Sequence, residues 1–275
     1  LMEHREIAPG VDIPVLGLGT WGLGGRQIED HRWDAEHVAA IRMAIELGLT
    51  HIDTAEYYGA GHAEELVGEA AASYDRSSLF VTTKVWRTNL RRGDLAKSLR
   101  GSLRRLAMDY VDLYLVHWPN PDVPLAETMG VLESCADEGL TRLIGVSNFG
   151  WDLMAEAQRH LRDHRLAANQ VEYSLVDQKP KDSLLPYMRR SGSTLIAYRP
   201  LGRGALTQPG NRALDEAAER YHKTRAQVAL NWLIGQEGVV AIPKSSNPLH
   251  LLDVVGAIGW RLAPEDALAL ADSFV

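Results

Sequence analysis

The chain has 275 residues, 45% hydrophobic and 24% charged, with a formal net charge of −7. That length supports a full hydrophobic core without disulfide or metal staples, and the acidic balance argues against nucleic acid or an anionic membrane as the main partner. The one cysteine, Cys135, leaves no intrachain disulfide, points to a reducing compartment, and reads as a small buried residue of a helix.

The first residues carry no signal-peptide pattern, and Leu1 ahead of Met2 reads as an added residue. No apolar run reaches the length of a bilayer span, so a soluble, cytoplasmic protein is expected. Residues 3–7 and 11–15 flank Ala8-Pro9-Gly10, a turn signal, and read as a hairpin. Strand-like runs then recur at 15–18, 51–53, 79–84, 111–117, 143–147, 168–172, 194–198 and 239–243. Amphipathic stretches lie between them. Asp34 is expected to cap a helix with Val38, Ile41, Ile45 and Leu47 on its inner face. Further helices are expected over 63–72, 94–106, 125–138, 152–160, 183–190 and 224–234, and a short terminal one over 264–274. Strand–helix alternation of this number, without a linker, predicts one domain over 1–275. Its class is α/β: a (β/α)8 TIM barrel with an N-terminal β-hairpin and a short C-terminal helix.

In such a barrel the chemistry sits at the C-terminal ends of the strands. Four polar residues pass that filter. Asp53, Lys84 and His117 end their strands, and Tyr58 follows in the loop after Asp53. Each alone reads as a cap or an ion-pair partner. Together, at the ends of neighbouring strands, they form a candidate catalytic set. An ammonium beside a phenol is expected to stabilise the phenolate and lower a pKa that is ordinarily about 10. A carboxylate would hold the ammonium, and a histidine would polarise a substrate oxygen. The set suits proton delivery to a carbonyl oxygen while a hydride reaches the carbon.

Gly17, Gly19 and Gly22 satisfy G-x-G-x-x-G. A dinucleotide fold needs a helix to open at the third glycine. Here Gly24, Gly25 and Arg26 intervene before the helix near Asp34, so the glycines are expected to let a loop approach a ligand.

Several segments occur in an order that is similar to one family: Leu-Gly-Leu-Gly-Thr-Trp at 16–21, His-Ile-Asp-Thr-Ala-Glu-Tyr-Tyr-Gly at 51–59, Thr-Lys-Val-Trp at 83–86, Asp-Leu-Tyr-Leu-Val-His-Trp-Pro at 112–119, Gly-Val-Ser-Asn-Phe at 145–149, Asn-Gln-Val-Glu-Tyr-Ser at 169–174 and Ile-Pro-Lys-Ser-Ser-Asn at 242–247. Over nearly its whole length the chain resembles the aldo-keto reductase superfamily. The resemblance implies reduction of aldehydes, ketones or dicarbonyls by NADPH, with NADH possible. Tyr58, and not its neighbour Tyr57, is then the acid, and Asp53, Lys84 and His117 complete a tetrad. Ser147, Asn148 and Gln170 would hold the nicotinamide carboxamide, and Tyr198 would stack on its ring. Gly19, Thr20, Trp21 and Asp53 would border the cofactor, and Arg199, Pro200, Leu201, Gly202 and Arg203 its pyrophosphate. Lys244, Ser245 and Ser246 would bind a 2′-phosphate, with His250 and Asp253 at the adenosine end. Trp21, Trp86 and Trp118 would wall the substrate pocket with Tyr58 and His117.

The chain departs from the family at three places. His250 stands where arginine is common, Val254 where asparagine is frequent, and Arg199 where serine is usual. The first two leave the choice between NADP and NAD open, and Arg199 reads equally as a phosphate contact or a surface ion pair. The short segment after the last helix implies an open, broad pocket. A monomer without metal is expected. Two rivals remain: a barrel hydrolase with metal at His51, Asp53 and His117, and a non-enzymatic subunit that senses nicotinamide cofactors.

Overall fold

Residues 2–274 are described in a computed structural model; Leu1 and Val275 lie outside the described residues. β1 (His4–Ala8) and β2 (Val11–Pro14) form the antiparallel hairpin, turned by Gly10 at φ 71°. Its buried Ile7 and Ile13 pack with Phe80, Leu113, Leu115, Ile196 and Val240. The hairpin thus plugs the end of the barrel where the strands begin.

Eight parallel strands follow: β3 (Gly17–Gly19), β4 (His51–Asp53), β5 (Phe80–Val85), β6 (Val111–Val116), β7 (Thr141–Ser147), β8 (Leu166–Glu172), β9 (Thr194–Tyr198) and β10 (Val239–Ala241). They stand side by side in chain order. Leu16 bridges to Ala241, Ala241 donates its N–H to Val15 and Gly19 donates to Pro243, so the last strand closes on the first. Strand side chains alternate between two faces. One set, with Leu18, Ile52, Val81, Tyr114, Val116 and Val146, packs outward under the helices. The other set turns inward, and it places polar side chains at the top of the barrel above the apolar plug.

The helices are α1 (Asp34–Glu46), α2 (His62–Ala71), α3 (Arg92–Leu106), α4 (Leu125–Asp137), α5 (Trp151–Arg159), α6 (Leu184–Ser191), α7 (Arg212–Tyr221), α8 (Arg225–Ile234), α9 (Pro248–Val255) and α10 (Pro264–Asp272). Among the described residues, no helix is long and apolar enough to cross a membrane. Three expectations need correction. Asp34 lies in the first turn of α1; Trp33 holds the cap position and makes no side-chain cap bond. α7 was not foreseen, because its buried face is only Leu214 and Ala217 among charged residues. α9 was not foreseen either, although Asn247 caps it and Pro248 opens it, the usual start signals. Thr224 does cap α8, in a reciprocal pair with Gln227. Cys135 is buried on α4, and burial pushes its thiol up to about 11.

Candidate active site

The inward alternation brings Asp53, Lys84 and Gln170 together from β4, β5 and β8. Lys84 is wholly buried, and its Nζ donates to Asp53 Oδ2 at 2.7 Å, to the Thr54 carbonyl at 2.8 Å and to Tyr58 Oη at 3.1 Å. Gln170 Nε2 reaches across the barrel to Asp53 Oδ1 at 2.7 Å. Tyr58 lies in a 3-10 turn, Tyr58–Gly61, whose next three residues all have positive φ. That turn drops the Tyr58 ring onto the top of the barrel, 8% exposed. A hydroxyl has one proton and two lone pairs. Lys84 occupies a lone pair, so the Tyr58 proton stays free for a substrate oxygen.

Electrostatics sharpen this. Burial raises the Tyr58 phenol above its ordinary value, and the Lys84 charge only partly offsets it. The sequence reading expected a net lowering; full desolvation of the phenolate outweighs the ammonium. Tyr58 is therefore held as a protonated donor. Burial opposes the charge on Lys84 too, but the Asp53 carboxylate more than compensates and raises its pKa. Burial raises Asp53, and Lys84 and Gln170 pull it back. His117 is depressed to about 2 by burial and then by Lys84, so its ring is neutral.

Aromatic side chains frame the opening. Trp21 meets Tyr58 edge-on at 5.0 Å and His117 meets it at 5.6 Å. Trp86 stacks on Tyr57 at 3.7 Å and meets the His117 ring at 5.2 Å. Trp21 and Trp118 are about 40% exposed, at 39% and 40%, so they are rim residues and not core. Tyr57 was passed over in the sequence. It lies parallel to Trp21 and Trp86, between them, and extends the wall. Glu56 was also missed: its carboxylate accepts the Trp86 backbone N–H at 2.6 Å and Asn89 Nδ2 at 3.1 Å, which anchors the Trp86 loop. The motif contained both residues; only the turn reveals their parts.

A second polar group lies beside the tetrad. Ser147 Oγ donates to the Gln170 carbonyl at 2.7 Å. Asn148, at φ 63°, bonds the His117 carbonyl at 3.0 Å and accepts from Tyr198 Oη at 2.8 Å. Thr20 turns inward and donates to the Asp53 carbonyl at 2.9 Å. Arg199 pairs with Glu172 at 2.7 Å, so here it makes the surface ion pair. After buried Pro200 and half-buried Leu201, Gly202, Arg203 and Gly204 have φ of 55°, 58° and 96°. The Gly202 and Gly204 N–H groups donate to the Arg199 and Leu201 carbonyls at 2.9 and 3.0 Å, so backbone bonds close this turn.

Lys244 is exposed at the exit of β10, where crowding by the chain and then the Arg26 guanidinium lower its ammonium. Ser245 is buried, and its Oγ accepts the Asn247 N–H at 3.0 Å; Ser246 is half-buried and His250 exposed. Asp253 accepts from the Thr224 hydroxyl at 2.8 Å and lines a groove of about 690 Å³ between α7, α8 and α9. It stands apart from the tetrad. His51 turns inward two residues below Asp53, bonds Thr82 Oγ1 at 3.1 Å and packs against Phe80. Burial lowers it to about 3. His51, Asp53 and His117 do not converge as metal ligands; among the described residues the one such group is His31, Asp34 and His62.

Residues 15–273 match the sequence model of the "Aldo/keto reductase family". The chain belongs to the aldo/keto reductase family. Among curated relatives, the methylglyoxal reductase YeaE of Escherichia coli K12 is 37% identical over 97% of this chain and 93% of its own. The methylglyoxal reductase DkgB of Yersinia pestis is 37% identical over 88% of this chain and 85% of its own. Among solved structures, the thermostable aldo-keto reductase Tm1743, in complex with the inhibitor epalrestat, superposes with a TM-score of 0.95 at 44% identity, over 99% and 100% of the two chains. An aldo/keto reductase of Klebsiella pneumoniae in complex with NADP and acetate gives 0.88 at 34% identity, over 96% and 92%.

For an aldo/keto reductase, Gly17 and Gly19 serve the barrel and not a dinucleotide fold. Both lie in β3, and a Cβ on Gly17 would strike the His51 ring at 2.7 Å. The dinucleotide-fold reading of these glycines therefore fails, as expected, but the loop expected in its place is a strand at Gly17 and Gly19.

Proposed function

We propose that this aldo/keto reductase reduces small aldehydes, ketones or dicarbonyls to alcohols, with NADPH as hydride donor and Tyr58 as proton donor. The carrying observation is the Lys84–Tyr58 hydrogen bond at 3.1 Å, made by an ammonium that Asp53 holds from behind. Bound NADPH supplies the hydride. The residues at hand fit it: Ser147, Asn148 and Gln170 offer the donors and acceptors a carboxamide needs, and Tyr198 offers a ring. Gly19 and Trp21 would border the cofactor and residues 200–203 its pyrophosphate; Arg199 would join them only on leaving Glu172. Lys244 with Ser245 and Ser246 suits a 2′-phosphate, and His250 and Asp253 belong to the adenosine end.

Each tetrad residue then has a task. Tyr58 passes its free hydroxyl proton to the substrate oxygen. Lys84 stabilises the phenolate left behind, and Asp53 keeps Lys84 charged and in place. His117, being neutral, donates an N–H to the same oxygen without competing for the proton. Trp21, Tyr57, Trp86 and Trp118 exclude water around an apolar substrate body. The methylglyoxal reductases among the relatives support a dicarbonyl as a first substrate. One domain, a monomer and a cytoplasmic setting belong to the same proposal, supported by the continuous closed barrel, the charge of −7 and the lone buried cysteine.

Tyr58→Phe is the test. It should cut NADPH-dependent turnover of methylglyoxal by about 100- to 10,000-fold, the usual worth of a positioned acid, and leave NADPH binding, read by fluorescence, unchanged. Near-normal turnover would remove Tyr58 from its role. A wild-type protein that binds NADPH yet reduces no carbonyl would favour the sensor instead.

A further inference from the structure

His31, Asp34 and His62 lie outside the catalytic mouth, where the segment before α1 meets the start of α2. We propose that they bind one divalent transition-metal ion of the zinc class, and that the ion pins residues 24–31 to the turn that carries Tyr58.

The ligand atoms of the three residues all lie within 4.8 Å of one another. His31 Nδ1 is 3.0 Å from Asp34 Oδ2, and His62 Nε2 is 2.9 Å from Asp34 Oδ1. Tetrahedral bonds of 2.0–2.1 Å place neighbouring ligand atoms roughly 3.3 Å apart. Both carboxylate–imidazole spacings are close to that, although each ring meets a different oxygen of Asp34. The ring centroids are 4.0 Å apart, so the His31 ring must swing outward for both nitrogens and one carboxylate oxygen to face a single ion. His62 is 7% exposed and fixed, while His31 is 59% exposed and free to move the remaining distance.

The outer contacts are already in place. Metal-binding histidines usually direct the second ring nitrogen to a carboxylate, which fixes the ring and its tautomer. Here the far nitrogen of His62 meets Glu65 at 2.8 Å, and the far nitrogen of His31 meets Glu29 at 3.1 Å. Each ring therefore lies between two carboxylates, and both would need two protons to satisfy them. A dication replaces the two protons facing Asp34 and leaves those facing Glu29 and Glu65. Two imidazoles with one carboxylate suit zinc and its neighbours, not calcium or magnesium, which take oxygen ligands.

The clamp follows from connectivity. His62 is the first residue of α2, directly after the Tyr58–Gly61 turn. The Arg26 carbonyl accepts the Gly59 N–H at 2.8 Å, and Gly24 packs on the His62 ring, where a Cβ would come within 2.9 Å. Segment, turn and helix start already touch, and the ion would tie them at a single point.

The experiment titrates chelator-treated, full-length protein with zinc chloride by calorimetry, beside His31→Ala and Glu65→Gln. The wild type should take up one ion through this group, and zinc should raise its Tm. His31→Ala should bind at least tenfold more weakly and lose the rise in Tm. Glu65→Gln keeps all three ligands and should weaken binding by about 10- to 100-fold. Equal affinity in the wild type and His31→Ala, or no uptake by the wild type at concentrations on the order of 100 μM, overturns the site, since zinc sites with such ligands bind far more tightly. Binding without a rise in Tm overturns the clamp.

Discussion

Lys84 has three ammonium protons and three acceptors: Asp53, the Thr54 carbonyl and Tyr58. Among the described residues its partner Asp53 takes only Lys84 and Gln170 as side-chain donors, and both members of the pair are buried. A buried pair of this kind contributes little net stability, yet removing one member strands the other. Lys84→Met should therefore destabilise the fold by about 3–5 kcal/mol. Adding Asp53→Asn, which removes the stranded charge, should restore part of that loss although the enzyme stays inactive. Denaturant unfolding of both variants measures this. If the double variant is less stable than Lys84→Met, the stranded charge is not the cause.

The element that decides the site is the turn Tyr58–Gly61. Gly59 sits there at φ 56°, and a Cβ on it would collide with the Gly24 carbonyl. An L residue in that region also costs roughly 1–2 kcal/mol. Gly59→Ala should thus lower stability by about 2 kcal/mol or more, the sum of strain and collision, and reduce kcat because Tyr58 is its neighbour. Thermal unfolding and steady-state kinetics check both, and an unchanged kcat would separate the turn from catalysis. The same turn shows what the sequence could and could not reveal. Strands were legible as short apolar runs, because parallel strands such as β5 and β6 are buried on both faces, and because Asp53, Lys84 and His117 stand at consecutive strand ends. Two adjacent tyrosines, however, differ only in where the turn sends them: Tyr58 under the opening, Tyr57 between two tryptophans. Family likeness chose Tyr58, but no periodicity gave Tyr57 a place. Asp34 looked like a cap, but the chain enters α1 through Trp33, and its carboxylate turns to His31 and His62 instead. Loop paths of this kind depend on tertiary contacts that local pattern does not contain.

Across the described residues, two neutral histidines stand inside the barrel, His117 above the level of Lys84 and His51 below it. Burial and then the charge of Lys84 depress His117 to about 2 and His51 to about 3. An unfolded chain protonates both rings below a pH of about 6.5. The unfolded state then binds more protons than the folded one, so stability falls as pH drops from 6.5 toward those values. His31 and His62 shift the other way. Their contribution is fully present below the unfolded pKa and is lost only as pH rises, so they add no acid slope. Well below the unfolded histidine value of about 6.5, each buried ring should cost up to about 1.4 kcal/mol per pH unit, and carboxylates that titrate near pH 4.5 add the same slope to wild type and variant. His51→Gln removes one titrating ring far from substrate. Its stability should fall with pH less steeply than that of the wild type, by one proton, in denaturant unfolding from pH 6.5 to 4.5. Parallel slopes would mean that His51 is protonated inside the folded barrel, a charge that the packing of Gly17, Phe80 and Thr82 around its ring leaves no room to solvate.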